Sequence, residues 1–275
     1  MKKLLTELNI GIAAPIKVIH FSDTHLTRAD GRDDERKIEL AKQRRENAFP
    51  DNEEVYRDTL ALASEGYDAV LHTGDLIDFV SYANLEEAAI FAQTTDCFFA
   101  AGNHEFSLYA GEAKEDAAYR NQSLERVQEA FRNDIRFSSR IVGGVNFVAI
   151  DNSYYLFEEY QLEGLKKEAE KGLPIILLLH NPIYEESLYE FQMRSSPCAY
   201  LVAVPEEKME CYPSYRREQQ RADEITLEAV EYIKNEPSIK ALLCGHLHKD
   251  FECELCKGKP QMMVGIHSAR EIIIR

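Results

Sequence analysis

Residues 16–25 read IKVIHFSDTH. The apolar run from Ile16 to Phe21 is typical of a buried strand, and the polar residues Asp23 and His25 follow the point where that run ends. The same arrangement recurs five more times along the chain. The predicted strands cover residues 16–21, 69–72, 97–100, 145–150, 175–179 and 239–243. Short runs rich in Val, Ile, Leu and Phe favour a sheet that is buried on both faces.

Amphipathic stretches lie between these runs and predict helices. The predicted helices cover residues 53–64, 85–92, 117–131, 161–170 and 223–234. The tail differs, because residues 251–256, 261–266 and 271–275 have the pattern of short strands joined by turns. Two sheets packed between helices account for this mixture. No repeat or linker divides the chain, so we expect one α/β domain over residues 1–275.

Two segments do not fit this alternation. Residues 27–50 are heavily charged, and residues 183–222 are rich in Tyr, Glu and Arg. Long loops in a compact domain are usually functional lids or irregular insertions. The tyrosines and arginines of 183–222 could form a lid that stacks on a ring and binds phosphate. An excursion on the surface, with tyrosines that pack locally, explains them equally well.

Composition limits the class of protein and of partner. The 275 residues carry a net charge of −16, and 45% of them are hydrophobic, which is ordinary globular composition. The negative charge argues against a long nucleic acid, which would need a basic face, but is compatible with a small phosphorylated substrate. Six cysteines in a large chain, without an export signal or an apolar run that could span a bilayer, predict reduced thiols and a cytoplasmic location.

Seven oxygen or nitrogen donors follow the ends of five predicted strands. They are Asp23, His25, Asp75, Asn103, His180, His246 and His248. In α/β sheets, ligands bind outside the carboxyl ends of the strands, so we expect these donors at one rim. Strand alternation would let Asp23 and His25 point to the same side, and likewise His246 and His248.

This donor set predicts a metal centre. Carboxylate, amide and imidazole donors suit Mn²⁺, Fe or Zn²⁺ better than Ca²⁺. Seven donors are too many for one ion but fit two ions that share a carboxylate. We therefore expect two divalent metal ions, with Mn²⁺ as the first choice and Fe or Zn²⁺ as alternatives.

The order of the motifs strongly resembles the calcineurin-like metallophosphoesterase superfamily. Its pattern is D-x-H, G-D-x-x, G-N-H-[DE], H and G-H-x-H. Here these motifs occupy residues 23–25, 74–77, 102–105, 180 and 245–248. The resemblance extends from residue 16 to about 250. It implies a four-layer α/β/β/α sandwich with two mixed sheets, the metallo-dependent phosphatase-like fold.

The resemblance also implies a role for each residue of the site. One ion would be held by Asp23, His25, Asp75 and His248. The other would be held by Asp75, Asn103, His180 and His246, with Asp75 bridging the two. His104 would stabilise or protonate the leaving oxygen, and we expect Asp78 to orient His104. Glu105 completes its motif with a role that is more often structural than chemical.

The implied function is phosphoester hydrolysis, in which a hydroxide activated by the two metals attacks phosphorus. Ala101 before the G-N-H-E motif and Asp78-Phe79-Val80 after Ile77 argue against the protein Ser/Thr phosphatases. A small phosphomonoester or phosphodiester remains as the expected substrate, with nucleotides among the candidates. The alternatives are a nuclease and a non-catalytic metal-binding scaffold. Sequence indicates neither a membrane partner nor an oligomeric state.

Overall fold

The computed structural model describes residues 1–111 and 116–275, which form two sheets between layers of helices. The strands are β1 (Lys2–Leu8), β2 (Ile16–Phe21), β3 (Ala69–His72), β4 (Phe98–Phe99), β5 (Phe137–Val142), β6 (Val145–Ile150), β7 (Ile175–Leu178), β8 (Ile239–Cys244), β9 (Phe251–Cys256), β10 (Lys259–Met263) and β11 (Ser268–Ile274). The helices are α1 (Glu35–Asn47), α2 (Asn52–Ala63), α3 (Tyr82–Thr95), α4 (Ala117–Asn121), α5 (Leu124–Gln128), α6 (Glu159–Ala169), α7 (Glu186–Met193), α8 (Ser214–Gln220) and α9 (Glu224–Asn235). Short 3₁₀ helices cover His104–Phe106 and Glu206–Met209.

Both sheets are mixed. The first has the strand order β1-β11-β2-β3-β4, in which only the β11–β2 pair is antiparallel. The second has the order β5-β6-β7-β8-β10-β9, with antiparallel pairs at its two edges. Its inner pairs are parallel, so β6, β7 and β8 all end at the same edge.

Three apolar clusters separate the layers, because alternate residues of each strand point to opposite faces. Val18 of the first sheet belongs to a cluster with Phe147 of the second sheet, which is the contact between the sheets. Its neighbour Ile19 packs instead in a cluster with Tyr56 of α2 and Phe91 of α3. On the far side, the second sheet packs against α6 and α9. The predicted four-layer α/β/β/α sandwich is therefore confirmed.

Two local predictions were wrong, and two strands were missed. The segment 117–131 is not one helix, since a turn at Gln122–Ser123 separates α4 from α5. Strands β1 and β5 were not predicted. The charged segment 27–50 is not an irregular loop, because it contains the thirteen-residue helix α1, whose N-cap Asp34 accepts a hydrogen bond from Lys37 N. Charged residues occupy most faces of this helix, so its sequence lacks the apolar periodicity that would predict a helix.

The helices of the described residues were also compared with the dimensions of a lipid bilayer. None of them is both long and apolar enough to cross a membrane.

Candidate metal centre and active site

The loops at the carboxyl ends of five strands carry all the predicted donors. Asp23 and His25 follow β2, and Asp75 follows β3, while the other donors follow β4, β7 and β8. Backbone hydrogen bonds join the first two loops, since Asp23 N donates to Gly74 O at 3.0 Å and His25 N donates to Asp75 O at 2.9 Å. The donors meet at one rim because parallel neighbouring strands end there.

Left-handed backbone, rather than strand alternation, aims these side chains. Asp23, His25, Asp75, His246 and His248 all have φ between 50° and 69°. The strands end before these residues, so the expected alternation of residues i and i+2 does not apply. A positive φ is uncommon outside glycine, and such conformations cluster at functional sites. The expected pairs do point to one cluster, but for a different reason.

The ligand atoms form two sets that share one carboxylate. Atoms of Asp23, His25, Asp75 and His248 all lie within 4.8 Å of one another, and so do atoms of Asp75, His180 and His246. Asp75 Oδ2 lies 3.6 Å from His25 Nε2 and 3.2 Å from His180 Nε2. One oxygen therefore belongs to both sets. Asn103, which was predicted as a further ligand, is buried and lines the same cavity.

Separations within the sets fit the coordination of small divalent ions. His25 Nε2 is 2.9 Å from His248 Nε2, and His180 Nε2 is 3.1 Å from His246 Nδ1. Asp23 Oδ1 lies 3.5 Å from His248 Nε2. Ligands bound at about 2.1 Å around one ion are roughly 3.0 Å apart in an octahedron and 3.4 Å apart in a tetrahedron. Imidazole and carboxylate donors at these spacings are the set that Mn²⁺, Fe and Zn²⁺ accept.

Hydrogen bonds on the far side of three rings fix which nitrogen faces the centre. His180 Nδ1 bonds to Thr73 O at 2.6 Å, and His25 Nδ1 bonds to Asp78 Oδ1 at 3.2 Å. His246 Nε2 bonds to the hydroxyl of Tyr155 at 2.9 Å. In each case the other nitrogen faces the cluster. Metal-binding histidines are normally held in this way.

The carboxylates of the cluster are held in the ionised form. Burial raises the pKa of Asp23, but the hydrogen bond from His25 and the charge of His248 lower it to about 2. Burial acts in the same direction on Asp75, and the charges of His180 and His104 keep the pKa of that carboxyl well below its usual range. Both groups are therefore acceptors for cations at neutral pH.

Asp78 is the buried hub of a second network. Its Oδ1 lies 3.0 Å from His104 Nδ1, and its carboxylate accepts hydrogen bonds from Arg44 Nε at 2.6 Å and Nη2 at 2.8 Å. Burial raises the pKa of Asp78, but the hydrogen bonds from His104, His25 and Arg44 hold it far below its usual range. Burial lowers the pKa of His104, while Asp75 and Asp78 raise it to about 10 in the chain without metal.

Glu105 supports the loops rather than the chemistry. Its buried carboxylate accepts hydrogen bonds from the backbone N–H groups of Asp75 and Gly102 at 2.7 Å each, and from Leu76 at 2.8 Å. These bonds connect the loop after β3 to the loop after β4. The structural role expected for Glu105 agrees with these contacts.

A cavity of about 480 Å³ opens beside the ligand sets. Its lining includes Asp75, Asn103, His104, His246 and His248. Other lining residues come from the segments 27–50 and 183–222, which did not fit the predicted alternation of strands and helices, and from the position after His248. They are Arg44, Gln192, Ser195, Ser196, Tyr200, Arg216 and Lys249.

Sequence reasoning missed Arg44 and Tyr155. Neither belongs to a motif, and each reaches the centre through a bond to another side chain. The tyrosine- and arginine-rich composition of residues 183–222 did indicate a wall of the cavity, although it did not single out Tyr200 or Arg216.

Solved structures with similar folds are remote in sequence. A dimetal phosphatase from Danio rerio is 14% identical, with 91% of this chain and 88% of that chain covered and a TM-score of 0.48. The phosphopantetheinyl hydrolase of Mycobacterium tuberculosis is 12% identical, with 91% and 90% covered and a TM-score of 0.46. A putative 5′-nucleotidase from Staphylococcus aureus is 14% identical, with a TM-score of 0.45. The match covers 92% of this chain and 49% of that chain.

Sequence-family comparison gives a stronger result than these individual structures. No curated protein matches the chain. The family model for calcineurin-like phosphoesterases matches residues 16–250, which include every motif and both ligand sets. The chain therefore belongs to the calcineurin-like phosphoesterase family and is a metallophosphoesterase, a metal-dependent hydrolase of phosphoesters.

Proposed function

We propose that this protein hydrolyses a small phosphomonoester or phosphodiester, with nucleotides among the candidates, using two divalent ions of which Mn²⁺ is the first choice. The observation that carries the proposal is the position of Asp75 Oδ2, which lies within 3.6 Å of ring nitrogens from both ligand sets. A carboxylate shared in this way suits a pair of ions. The adjoining cavity has the size of a site for a small molecule.

In this proposal Asp23, His25, Asp75 and His248 hold one ion, and Asp75, Asn103, His180 and His246 hold the other. When bound, two divalent ions supply positive charge for the phosphate group and activate water as the nucleophile. The buried ring contacts of His25, His180 and His246 keep their ligand nitrogens aimed at the centre before any substrate arrives. Such preorganisation lowers the cost of assembling the site.

In this proposal His104 donates a proton to the leaving oxygen. Its Nδ1 is engaged by Asp78, through the carboxylate and the backbone carbonyl at 2.8 Å, so Nε2 is the nitrogen left for substrate. The side chain lines the cavity and is 19% exposed. Asp78 favours the imidazolium, which is the form that can donate. General acid catalysis of this kind contributes roughly 10²–10⁴ in rate.

The first experiment measures hydrolysis of p-nitrophenyl phosphate and bis-p-nitrophenyl phosphate by metal-stripped protein. Mn²⁺, Zn²⁺ or Fe²⁺ is then restored singly. We expect turnover that needs metal, is highest with Mn²⁺, and is lost in Asp75→Asn. Asp96→Asn is the matched control, because Asp96 is exposed and does not line the cavity. Turnover without metal, or turnover that survives Asp75→Asn, contradicts the proposal.

We also propose a cytoplasmic location, because six free cysteines in a chain of 275 residues are typical of a reducing compartment. Fractionation of cells that express the tagged chain tests it, and recovery outside the cytoplasm contradicts it.

A further inference from the structure

Arg44 brings a cation into the cavity from a helix that carries none of the motifs. It lies in the last turn of α1. Among the described lining residues it is the one that comes from the segment 27–50, and it shares the cavity with Asn103 and His104. A guanidinium from outside the motifs therefore lies at the wall of the cavity in which a phosphoester would bind.

The guanidinium of Arg44 is held in one orientation. Its Nε donates to Asp78 Oδ2 at 2.6 Å, and its Nη2 donates to Asp78 Oδ1 at 2.8 Å. Its carbon Cζ lies 4.9 Å from the ring centroid of Phe49, which is buried. Because Asp78 is itself completely buried, it is a fixed acceptor rather than a mobile surface group. Arg44 would therefore lose little conformational freedom when a ligand binds.

One end of this guanidinium is not used by Asp78. A guanidinium is planar and has five N–H donors, and the two bonds to Asp78 engage the edge formed by Nε and Nη2. The end formed by Nη1 and Nη2 keeps the other three N–H groups. In the described part of the chain, the side-chain hydrogen bonds of Arg44 go to Asp78 alone. The side chain is 25% exposed and lines the cavity, so this end is accessible to a ligand there.

Shared contacts place Arg44 beside His104 and the first ligand set. His104 Nδ1 lies 3.0 Å from the same Asp78 Oδ1 that accepts from Arg44 Nη2, so the two nitrogens are no more than about 6 Å apart. Phe49, which packs under the guanidinium, also stacks on the ring of His25 with centroids 4.2 Å apart. A single phosphate group can therefore reach the metal ligands and Arg44 together.

The chemistry of the unused end is selective for oxyanions. Two parallel N–H groups of a guanidinium match two oxygens of a phosphate, and such charge-assisted bonds are about twice as strong as neutral ones. The charge of Arg44 is balanced by Asp78, so directed hydrogen bonds rather than excess charge would provide the recognition.

We infer that Arg44 is a substrate-binding residue, whose Nη1 and Nη2 donate hydrogen bonds to non-bridging oxygens of the scissile phosphate. This inference rests on the proposed hydrolysis of phosphoesters in the same cavity. It gives Asp78 a second task, because one buried carboxylate then orients both His104 and the phosphate-binding arginine.

The test uses inorganic phosphate, which has the oxygens of the scissile group and no leaving group. Its affinity for protein loaded with Mn²⁺ is measured by calorimetry at pH 7. We expect Arg44→Gln to weaken binding roughly 10–100-fold, the effect of one hydrogen bond between charged groups. Arg44→Lys keeps a positive charge beside Asp78 but has no planar pair of donors, so it should weaken binding at least about fivefold.

Two control variants separate a contact from an indirect effect. Asp78→Asn disrupts the same pair of bonds but leaves the donors of Arg44 in the cavity, so phosphate affinity should change less than about threefold. Arg45→Gln removes the same charge from the next position of α1, and Arg45 bonds to Thr27 O and does not line the cavity. It should also stay within about threefold of wild type. Affinities are compared between preparations of equal Mn²⁺ content.

Three outcomes overturn the inference. The first is a loss of affinity below about fivefold in Arg44→Gln, or in Arg44→Lys if Arg44→Gln does not fold. The second is an equal loss in Asp78→Asn, because Arg44 would then act through Asp78. The third is wild-type protein that takes up Mn²⁺ but binds no phosphate.

Turnover of p-nitrophenyl phosphate is measured separately, so the two proposals fail in different ways. Phosphate binding that depends on Arg44, without any turnover, counts against the proposed function alone. Turnover together with phosphate binding that does not depend on Arg44 counts against this inference alone.

Discussion

The substitution Asp78→Asn tests the network behind His104. Asp78 is completely buried, and Arg44 is 25% exposed, so their two hydrogen bonds are largely shielded from water. Asn keeps one oxygen acceptor but loses the charge and places an amide against a guanidinium. Breaking a buried pair costs about 3–5 kcal/mol, and the retained oxygen reduces this to about 2–4 kcal/mol. At roughly 2–4 °C per kcal/mol, the melting temperature of the metal-free protein should fall by about 5–15 °C.

This stabilisation depends on pH with a defined sign. The folded pKa of Asp78 is depressed, so the contribution is present above the unfolded pKa of about 3.9 and is lost as the pH falls through the folded value. The melting temperatures are therefore compared at pH 7. Asp96→Asn is again the control, because its ion pair with Arg132 is exposed and should contribute little. Equal melting temperatures for Asp78→Asn and wild type refute the stability argument.

The catalytic effect of Asp78→Asn has its own signature. His104 must be protonated to donate, so activity falls as the pH rises past its pKa. Asp78 raises that pKa, and its replacement by Asn should move the falling limb of kcat/KM to lower pH and reduce kcat about 10–100-fold. Arg44→Gln removes a positive charge from the same network, so it should leave the limb in place or move it to higher pH. Unchanged turnover and an unchanged pH profile in Asp78→Asn refute the pairing.

Two further predictions concern the ligand sets. Mn²⁺ at one hundred times its dissociation constant should raise the melting temperature of metal-stripped protein by about 5–10 °C. Ligand binding at that concentration stabilises the folded state by about 2.7 kcal/mol. An equal rise in Asp75→Asn contradicts the assignment of the ligands. Gly102→Ala should reduce Mn²⁺-dependent kcat/KM at least about 100-fold, since its Cβ would overlap Asp75 Oδ1 and lie 2.8 Å from His180 Cε1. Gly31→Ala has open space around the new methyl group and is the control, and full activity in Gly102→Ala contradicts the prediction.

The inner strands could be predicted because nearly all of their residues are buried and apolar. Val145–Ile150 is buried along its whole length and was predicted with its observed bounds. Strand β1 was missed because its outer residues Lys2 and Lys3 are exposed and charged, and its pairing with β11 joins the two ends of the chain. That pairing leaves no local signal.

Strand β5 did have a local signal. The dipeptide Gly143-Gly144 joins β5 to β6, and both glycines have positive φ, as a two-residue hairpin turn requires. Only its partly exposed pattern made β5 less visible than β6. The glycine pair between two apolar runs is therefore the local feature that predicts this hairpin.

The donors of the site could be predicted from motif order, but their support could not. Arg44 comes from a charged helix whose sequence has no motif, and its importance depends on a contact with Asp78 that only the tertiary structure reveals. Tyr155, whose hydroxyl bonds to His246, itself has a φ of 68°. Nothing in the sequence predicts a left-handed backbone at a tyrosine. Supporting residues of this kind are specified by packing rather than by spacing.

At this centre the strained backbone is what brings the charged side chains together. Asp23, Asp75 and His246 adopt left-handed backbone at a cost of order 1–3 kcal/mol each, and they bring buried carboxylates and imidazoles into contact. Glu105 stabilises this arrangement through bonds to the backbone of both neighbouring loops. Cations bound between the ligand sets would offset the remaining repulsion between Asp23 and Asp75. We therefore expect the residues whose charges a bound metal would stabilise to be those that present the metal to a phosphoester.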